Sequence, residues 1–165
     1  IGSNKVALSA AAATAKELGY TVMLQQVLVT GDAAATAAAI VQQVKQYNGQ
    51  KPACFLYGGE TTVIVTGNGK GGRNQHLALC ALQHLMPDDQ ITLLAAGTDG
   101  TDGPTDAAGA FADAAILKAI GQDKTPLHNS IQQNDAYHFF ENANGLLKTG
   151  ATQTNVMDII IVLLD

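Results

Sequence analysis

The sequence predicts a layered α/β fold: a mixed sheet with helices on both faces, mostly parallel with one hairpin. Three observations carry that expectation. Apolar strand-like runs alternate with alanine-rich runs of helical length. The run 91–96 (ITLLAA) is apolar on both sides, which suits the middle of a sheet covered twice. Glycine, proline and asparagine punctuate the junctions.

In chain order, residues 4–18 are alanine-rich with Val6, Leu8 and Leu18, and Gly19 follows as a helix stop. Ile1-Gly2-Ser3-Asn4 reads as a strand end turning into a helix capped near Ser3 or Asn4, so further chain is expected upstream. Residues 20–29 are strand-like, and Thr30-Gly31-Asp32 turns into a helix over about 33–47. The polar linker Asn48-Gly49-Gln50-Lys51-Pro52 marks the expected domain boundary. Strands at 53–57 and 61–66 (TTVIVT), joined by Gly58-Gly59-Glu60, supply the expected hairpin. A glycine-rich loop over 67–72 precedes a helix at about 73–86, and strand 91–96 follows the turn at Pro87. Beyond it the pattern predicts an acidic loop at 97–105, helices over about 106–120, 126–131 and 134–143, a threonine-rich loop at 149–155 and a last buried strand at 157–164.

Composition narrows the function. The chain has 165 residues, 47% of them hydrophobic, enough to close a core. Its net charge of −5 supplies no positive field, so nucleic acid and anionic membranes are excluded as partners. No apolar run approaches bilayer length and no export signal opens the chain, so a cytoplasmic protein is expected. Cys54 and Cys80 lack metal-ligand spacing and read as buried free thiols. The four histidines are scattered without metal-binding spacing, and most read as ordinary surface or half-buried residues.

Three loops carry chemistry. Gly67-Asn68-Gly69-Lys70-Gly71-Gly72-Arg73-Asn74-Gln75 lets several amide N–H groups face one point at a helix N-terminus, an arrangement that wants an anion. Arg73 is the sole arginine and sits where the helix dipole disfavours a cation, so it reads as serving a carboxylate or phosphate. A glycine turn with a solvated Lys70 and an Arg73 tied to a nearby carboxylate is the alternative. Gly67, Gly69 and Gly72 also satisfy the dinucleotide pattern G-x-G-x-x-G, without a carboxylate at the usual place after the next strand.

The second loop, Thr98 to Asp106, places Asp99, Asp102 and Asp106 within eight residues at the end of a buried strand. Such carboxylates repel one another unless a cation or hydrogen bonds hold them, and magnesium suits hard oxygen ligands shared with phosphate. Helix capping by Asp106 and Asx-turns at the other two are the alternative. The third loop, Thr149 to Asn155, ends at Asp158 and offers neutral hydrogen bonds.

Taken together, Gly58-Gly59-Glu60-Thr61-Thr62, Gly69 to Gln75, Thr98 to Gly109, and Thr149-Gly150 with Thr154-Asn155-Val156 resemble the MOFRL domain of glycerate 2-kinases. The resemblance covers about 53–165, while 1–50 resembles the end of that family's Rossmann-like amino-terminal domain. It implies residues 1–50 as the tail of that domain and 51–165 as the MOFRL domain. It also implies ATP-dependent phosphorylation of glycerate, with ATP and magnesium as cofactors and the site in an interdomain cleft. Arg73 and Asp99 would be catalytic. Gly58, Gly59, Glu60, Thr61, Gly69, Lys70, Gly71, Gly72, Asn74, Gln75, Thr154 and Asn155 would bind phosphate or substrate, and Asp99, Asp102 and Asp106 the metal.

The family's amino-terminal lysine opposite the arginine is absent here, and His76 stands where the family more often has an acid. The partner implied is the amino-terminal domain, whose absence leaves dimerisation through the uncovered face open. An NAD(P)-dependent hydroxypyruvate reductase and a non-catalytic module that binds a small anion or a partner chain are the rival readings.

Overall fold

A single six-stranded sheet orders the chain, in a computed structural model that describes residues 2–165. The sheet order is β1 (Thr21–Leu24), β2 (Ala53–Gly59), β6 (Asp158–Leu164), β3 (Ile91–Gly97), β4 (Gly109–Ala112) and β5 (Leu146–Leu147). The layered, mixed α/β sheet is as expected. Its pairing is not: β1 and β2 are parallel, while β2–β6, β6–β3, β3–β4 and β4–β5 are all antiparallel. The physical reason is β6, which enters between β2 and β3 and runs against both.

The two faces follow from alternation along the strands. Phe55 and Tyr57 of β2, Leu93 and Ala95 of β3 and Ile160 and Val162 of β6 face the main core. Cys54 and Leu56 face the other side, where α1 (Asn4–Glu17) lays Leu8, Ala12 and Ala15 over them. Spacing of four and three residues puts those three on one stripe of the helix. Ser3 caps α1, its hydroxyl accepting from the Val6 N–H at 3.3 Å. Ile1 itself, expected as a strand end, lies outside the described residues. Both cysteines are buried and unbridged, as expected.

The main core is closed by α2 (Ala33–Lys45), α3 (Arg73–Leu82) and the shorter α4 (Ala114–Ile120), α5 (Thr125–Gln132) and α6 (Ala136–Asn142). Asp32 caps α2, accepting from Ala35 N–H at 2.8 Å. The linker 48–52 leads from α2 into β2, whose Ala53 to Leu56 pair with Thr21 to Leu24 in the same sheet. None of the described helices is long and apolar enough to cross a membrane.

Two expected elements are different. Residues 61–66 form no strand and touch the fold's β-structure through an isolated bridge, Thr62 to Asp32. Their β-branched residues promise a strand, yet Ile64 and Val65 are exposed, because the place beside β2 is taken by β6. The expected helix over 106–120 begins instead as β4, and Asp113 then caps α4 by accepting from Ile116 N–H at 2.9 Å. Pairing with β3 overrides the helix propensity of the alanines.

His84, His128 and His138 are exposed, while His76 is buried on α3, and its Nδ1 has no hydrogen-bond partner among the described residues. Burial pushes its pKa down, against a smaller upward pull from Asp32.

A β-carbon at Gly109 would collide with the backbone carbonyl oxygen of Ala95, so Gly109→Ala should lose about 1–3 kcal/mol of stability, read from urea midpoints. For His76, the unfolded chain takes up a proton below about pH 6.5 that the folded chain refuses. Stability present above that pH is therefore lost as the pH falls toward the depressed folded value. His76→Met should show a flatter change in urea midpoint between pH 7.5 and 5.5 than the parent; equal slopes would show that His76 is not the group responsible.

Candidate functional site

The start of β6 sets the geometry. Asp158, the first residue of that strand, pairs in register with Gly59 on β2 and with Gly97 on β3. Neither neighbour has a side chain, so the Asp158 carboxylate stands in a gap at the ends of three strands. It is buried, and Asn4 at the start of α1 donates to its backbone oxygen at 3.1 Å and to that of Val156 at 2.8 Å.

Arg73 reaches into this gap. Its Nε donates to Asp158 Oδ2 at 2.6 Å and its Nη2 to Oδ1 at 3.0 Å, a two-point pair. Nη2 also donates to Glu60 Oε1 at 2.7 Å. Hydrogen bonding to Asp158, against the opposing effect of burial, holds the guanidinium pKa above its already high ordinary value. Arg73 is thus tied to carboxylates, the alternative that the sequence left open. Its side chain nevertheless remains 37% exposed and that of Glu60 54%, so the cluster lies on an open face.

The anion at the N-terminus of α3 turns out to be internal. Asp102 accepts from the N–H groups of Asn74 at 3.0 Å and Gln75 at 2.8 Å, and from both their carboxamides at 3.2 and 3.1 Å. Gln75 Nε2 also donates to the Asp102 carbonyl and to Thr105 Oγ1. Burial pushes the Asp102 carboxyl up, and those four N–H donors pull it down. Asn74 and Gln75 are therefore buried locking residues. Asp102, expected at a metal, has its oxygens committed to α3.

Most of the glycine loop is likewise spent on the protein. Gly67 N–H donates to Asn134 Oδ1 at 3.0 Å, Gly69 N–H to Gln133 O at 2.8 Å and Lys70 N–H to Asp135 Oδ1 at 2.9 Å. Side chains at Gly67, Gly69 and Gly72 would strike Gln133, Asp135 and Asp102, so these glycines permit close approach of the α5–α6 connection and the acidic loop. Residues 60–66, which run into the loop, form no strand, so the strand-loop-helix context of the dinucleotide pattern is missing.

The remaining expected residues separate into groups. Gly58 lies beneath the Asn4 carboxamide, Gly59 against the backbone of Val29, and Thr61 is buried, so of that motif's expected binding residues Glu60 alone is exposed. Asp99 Oδ1 accepts from the N–H and hydroxyl of Thr101 at 3.0 and 3.2 Å, an Asx-turn. Its backbone oxygen accepts from Thr152 N–H at 3.1 Å, and the Thr98 hydroxyl bridges Met157 O and Val156 N–H, stitching the acidic loop to the threonine loop. Thr154 and Asn155 are exposed within that loop. Asp106 does not cap a helix; it accepts from Tyr137 Oη at 2.7 Å and Lys148 Nζ at 3.0 Å, and those bonds, Tyr137 first, hold its carboxyl below the ordinary value.

The three aspartates therefore do not gather round one point. Among the described residues no three histidine, cysteine or acidic side chains form a metal-binding group. The three loops do converge, through Asp102 between the first and second and through Thr98 and Asp99 between the second and third. Sequence reading missed Asn4, Tyr137 and Lys148 and assigned Asp158 no role. A lone acid opening an otherwise apolar strand was the available signal for Asp158, and Asn4 gave none.

Comparison with known proteins agrees with these motifs. The model of the MOFRL family matches residues 53–158. A D-glycerate 2-kinase of Thermotoga maritima is 41% identical over 99% of this chain, and a glycerate 2-kinase of Pyrococcus horikoshii 35% identical over 99%. The crystal structure of the Thermotoga maritima glycerate kinase superposes with a TM-score of 0.89 at 40% identity, covering 99% of this chain and 41% of that one. The chain spans about two fifths of these relatives' length, 40% and 38% of the two kinases. The matched motifs, the overall superposition and the extent of identity together place the chain in the MOFRL family.

Proposed function

We propose that this chain supplies the MOFRL side of a glycerate 2-kinase site, in which ATP phosphorylates glycerate. The observation that carries the reading is Arg73: a guanidinium held at two points by Asp158, steadied by Glu60, and still exposed at the meeting of the motif loops. A rigidly held planar cation is suited to charge that develops on a phosphoryl group or to a substrate carboxylate. The open face is consistent with a cleft closed by an amino-terminal domain of the longer protein. On this reading residues 1–50 lead out of that domain while packing with 51–165. Whether the uncovered face also pairs with a second copy is a subsidiary proposal, tested by sedimentation of the chain.

Asp99 remains the proposed catalytic carboxylate, with Glu60, Lys70, Gly71, Thr154 and Asn155 as proposed binding residues. Gly97 supports the choice of Asp99, because a β-carbon there would lie 3.2 Å from Asp99 Oδ1 and 3.5 Å from Asp158 Oδ1. Magnesium fits this chain as an ion held chiefly by phosphate oxygens and water with one or two carboxylates, Asp99 first. Bound so, it would neutralise charge on the phosphates. The buried free thiols support a cytoplasmic setting.

In an enzyme-length protein carrying this segment, Arg73→Lys should lower kcat by about 10³-fold, by the measure of other arginines that stabilise phosphoryl transfer. Undiminished turnover would remove Arg73 from the chemistry. Asp158→Asn leaves the guanidinium present but poorly aimed and should lower kcat by roughly 10²-fold; steady-state kinetics with urea midpoints as a control for folding separate aim from stability.

A further inference from the structure

Three residues before Arg73 in sequence, Lys70 belongs to a second cationic group, whose Tyr137 and Lys148 lie outside the four sequence motifs. Lys70 Nζ stands 4.2 Å from the centroid of the Tyr137 ring, and Lys148 Nζ 5.3 Å from the same centroid. Lys148 Nζ also lies 3.1 Å from the Tyr137 phenol oxygen and 3.0 Å from Asp106 Oδ2, while the phenol donates to Asp106 Oδ1. The ring is fixed: Tyr137 is 6% exposed, and its N–H donates to the Lys70 carbonyl at 2.9 Å.

Charge is what makes the group unusual. Two ammonium groups share one aromatic ring and only Lys148 is paired with a carboxylate among the described residues, in a chain whose net charge is −5. Lys148 is paired with Asp106, whereas Lys70 makes no ion pair among the described residues and rests on the aromatic face. A ring holds a cation in place without cancelling its charge. Backbone bonds on either side of the Lys70 side chain, N–H to Asp135 and carbonyl from Tyr137, fix where that charge is delivered.

The ligand follows from the donors. Ammonium groups act as point charges that suit the many oxygens of a polyphosphate, whereas a planar carboxylate is better served by the guanidinium. Lys70 and Arg73 are three residues apart, at most about 11 Å between α-carbons, within reach of one triphosphate chain and two long side chains. Asp106 belongs to the same loop as Asp99. We propose that Lys70 and Lys148, mounted on Tyr137, form a subsite for the phosphates of the nucleoside triphosphate that are not transferred. The proposal rests on the kinase reading and adds to it a division of labour: Arg73 serves the transferred group, the two lysines the rest of the chain.

Lys70→Met and Lys148→Met remove charge while keeping side-chain length, so the ring stays packed. In an enzyme-length protein carrying this segment, each should raise KM for ATP about tenfold, the scale of one lost charge-assisted hydrogen bond. KM for glycerate should rise less than about twofold, so that the two substrates separate. Inorganic tripolyphosphate should compete with ATP in the parent and weaken in parallel in the variants, and Lys70→Arg should restore it. An unchanged ATP KM with an active parent, or an equal rise in the glycerate KM, overturns the subsite while leaving the kinase reading intact. A parent that phosphorylates no glycerate defeats the kinase reading instead. Calorimetric titration of tripolyphosphate into this 165-residue chain then decides separately: binding that Lys70→Met abolishes supports the subsite, and absent or equal binding overturns it.

Discussion

The site depends on one buried carboxylate in a gap between two glycines. Register with Gly59 and Gly97 holds Asp158 at the ends of three strands, and Arg73 could not be aimed without Asp158. Taking that carboxylate out of water is costly, and the two-point bond to the guanidinium offsets the cost. Arg73 keeps part of its surface exposed and so retains a field that a ligand can meet. Positioning is bought by the strands, through their register, and not by the loops that carry the motifs.

A second carboxylate explains why those loops hold together. Helix α3 begins with unsatisfied N–H groups and a cation, both of which call for negative charge. Asp102 provides it from the neighbouring loop, and the carboxamides of Asn74 and Gln75 fold back onto the same oxygens. The loop glycines then let the α5–α6 connection press against the backbone. Residue types that read as a ligand cradle are used to rivet one loop to another, and Arg73 and Lys70 are the cations there that stay partly exposed.

Periodicity made much of the frame legible. The alanine-rich helix at 4–18, the cap near Ser3, the turn at 30–32 into α2 and the apolar runs 53–57, 91–96 and 157–164 have local causes and the structure keeps them, although Val6 and Leu18 prove exposed and the buried stripe is Leu8, Ala12 and Ala15. What failed was decided at long range. TTVIVT at 61–66 has strand propensity and no partner to pair with, while Gly109 to Ala112 has helical composition and a partner waiting in β3. Within the site, Arg73 stood out as the sole arginine, and the loop sequences located its surroundings. A row of aspartates gives charge without direction: Asp102 turns toward a helix terminus and Asp106 toward Tyr137 and Lys148.

The central place of β6 also ties formation of the site to completion of the sheet. β2 and β3 each pair with a strand about 100 and 60 residues further along, so the middle of the sheet is built from late, distant contacts. Until 158–164 have been synthesised and inserted, two apolar strands present raw edges, the state most exposed to misassociation and to proteases. Asp158 arrives on that same strand. An anion that needs Arg73 in its aimed position therefore binds only chains whose sheet is closed, and its binding draws incomplete chains toward the finished fold by mass action.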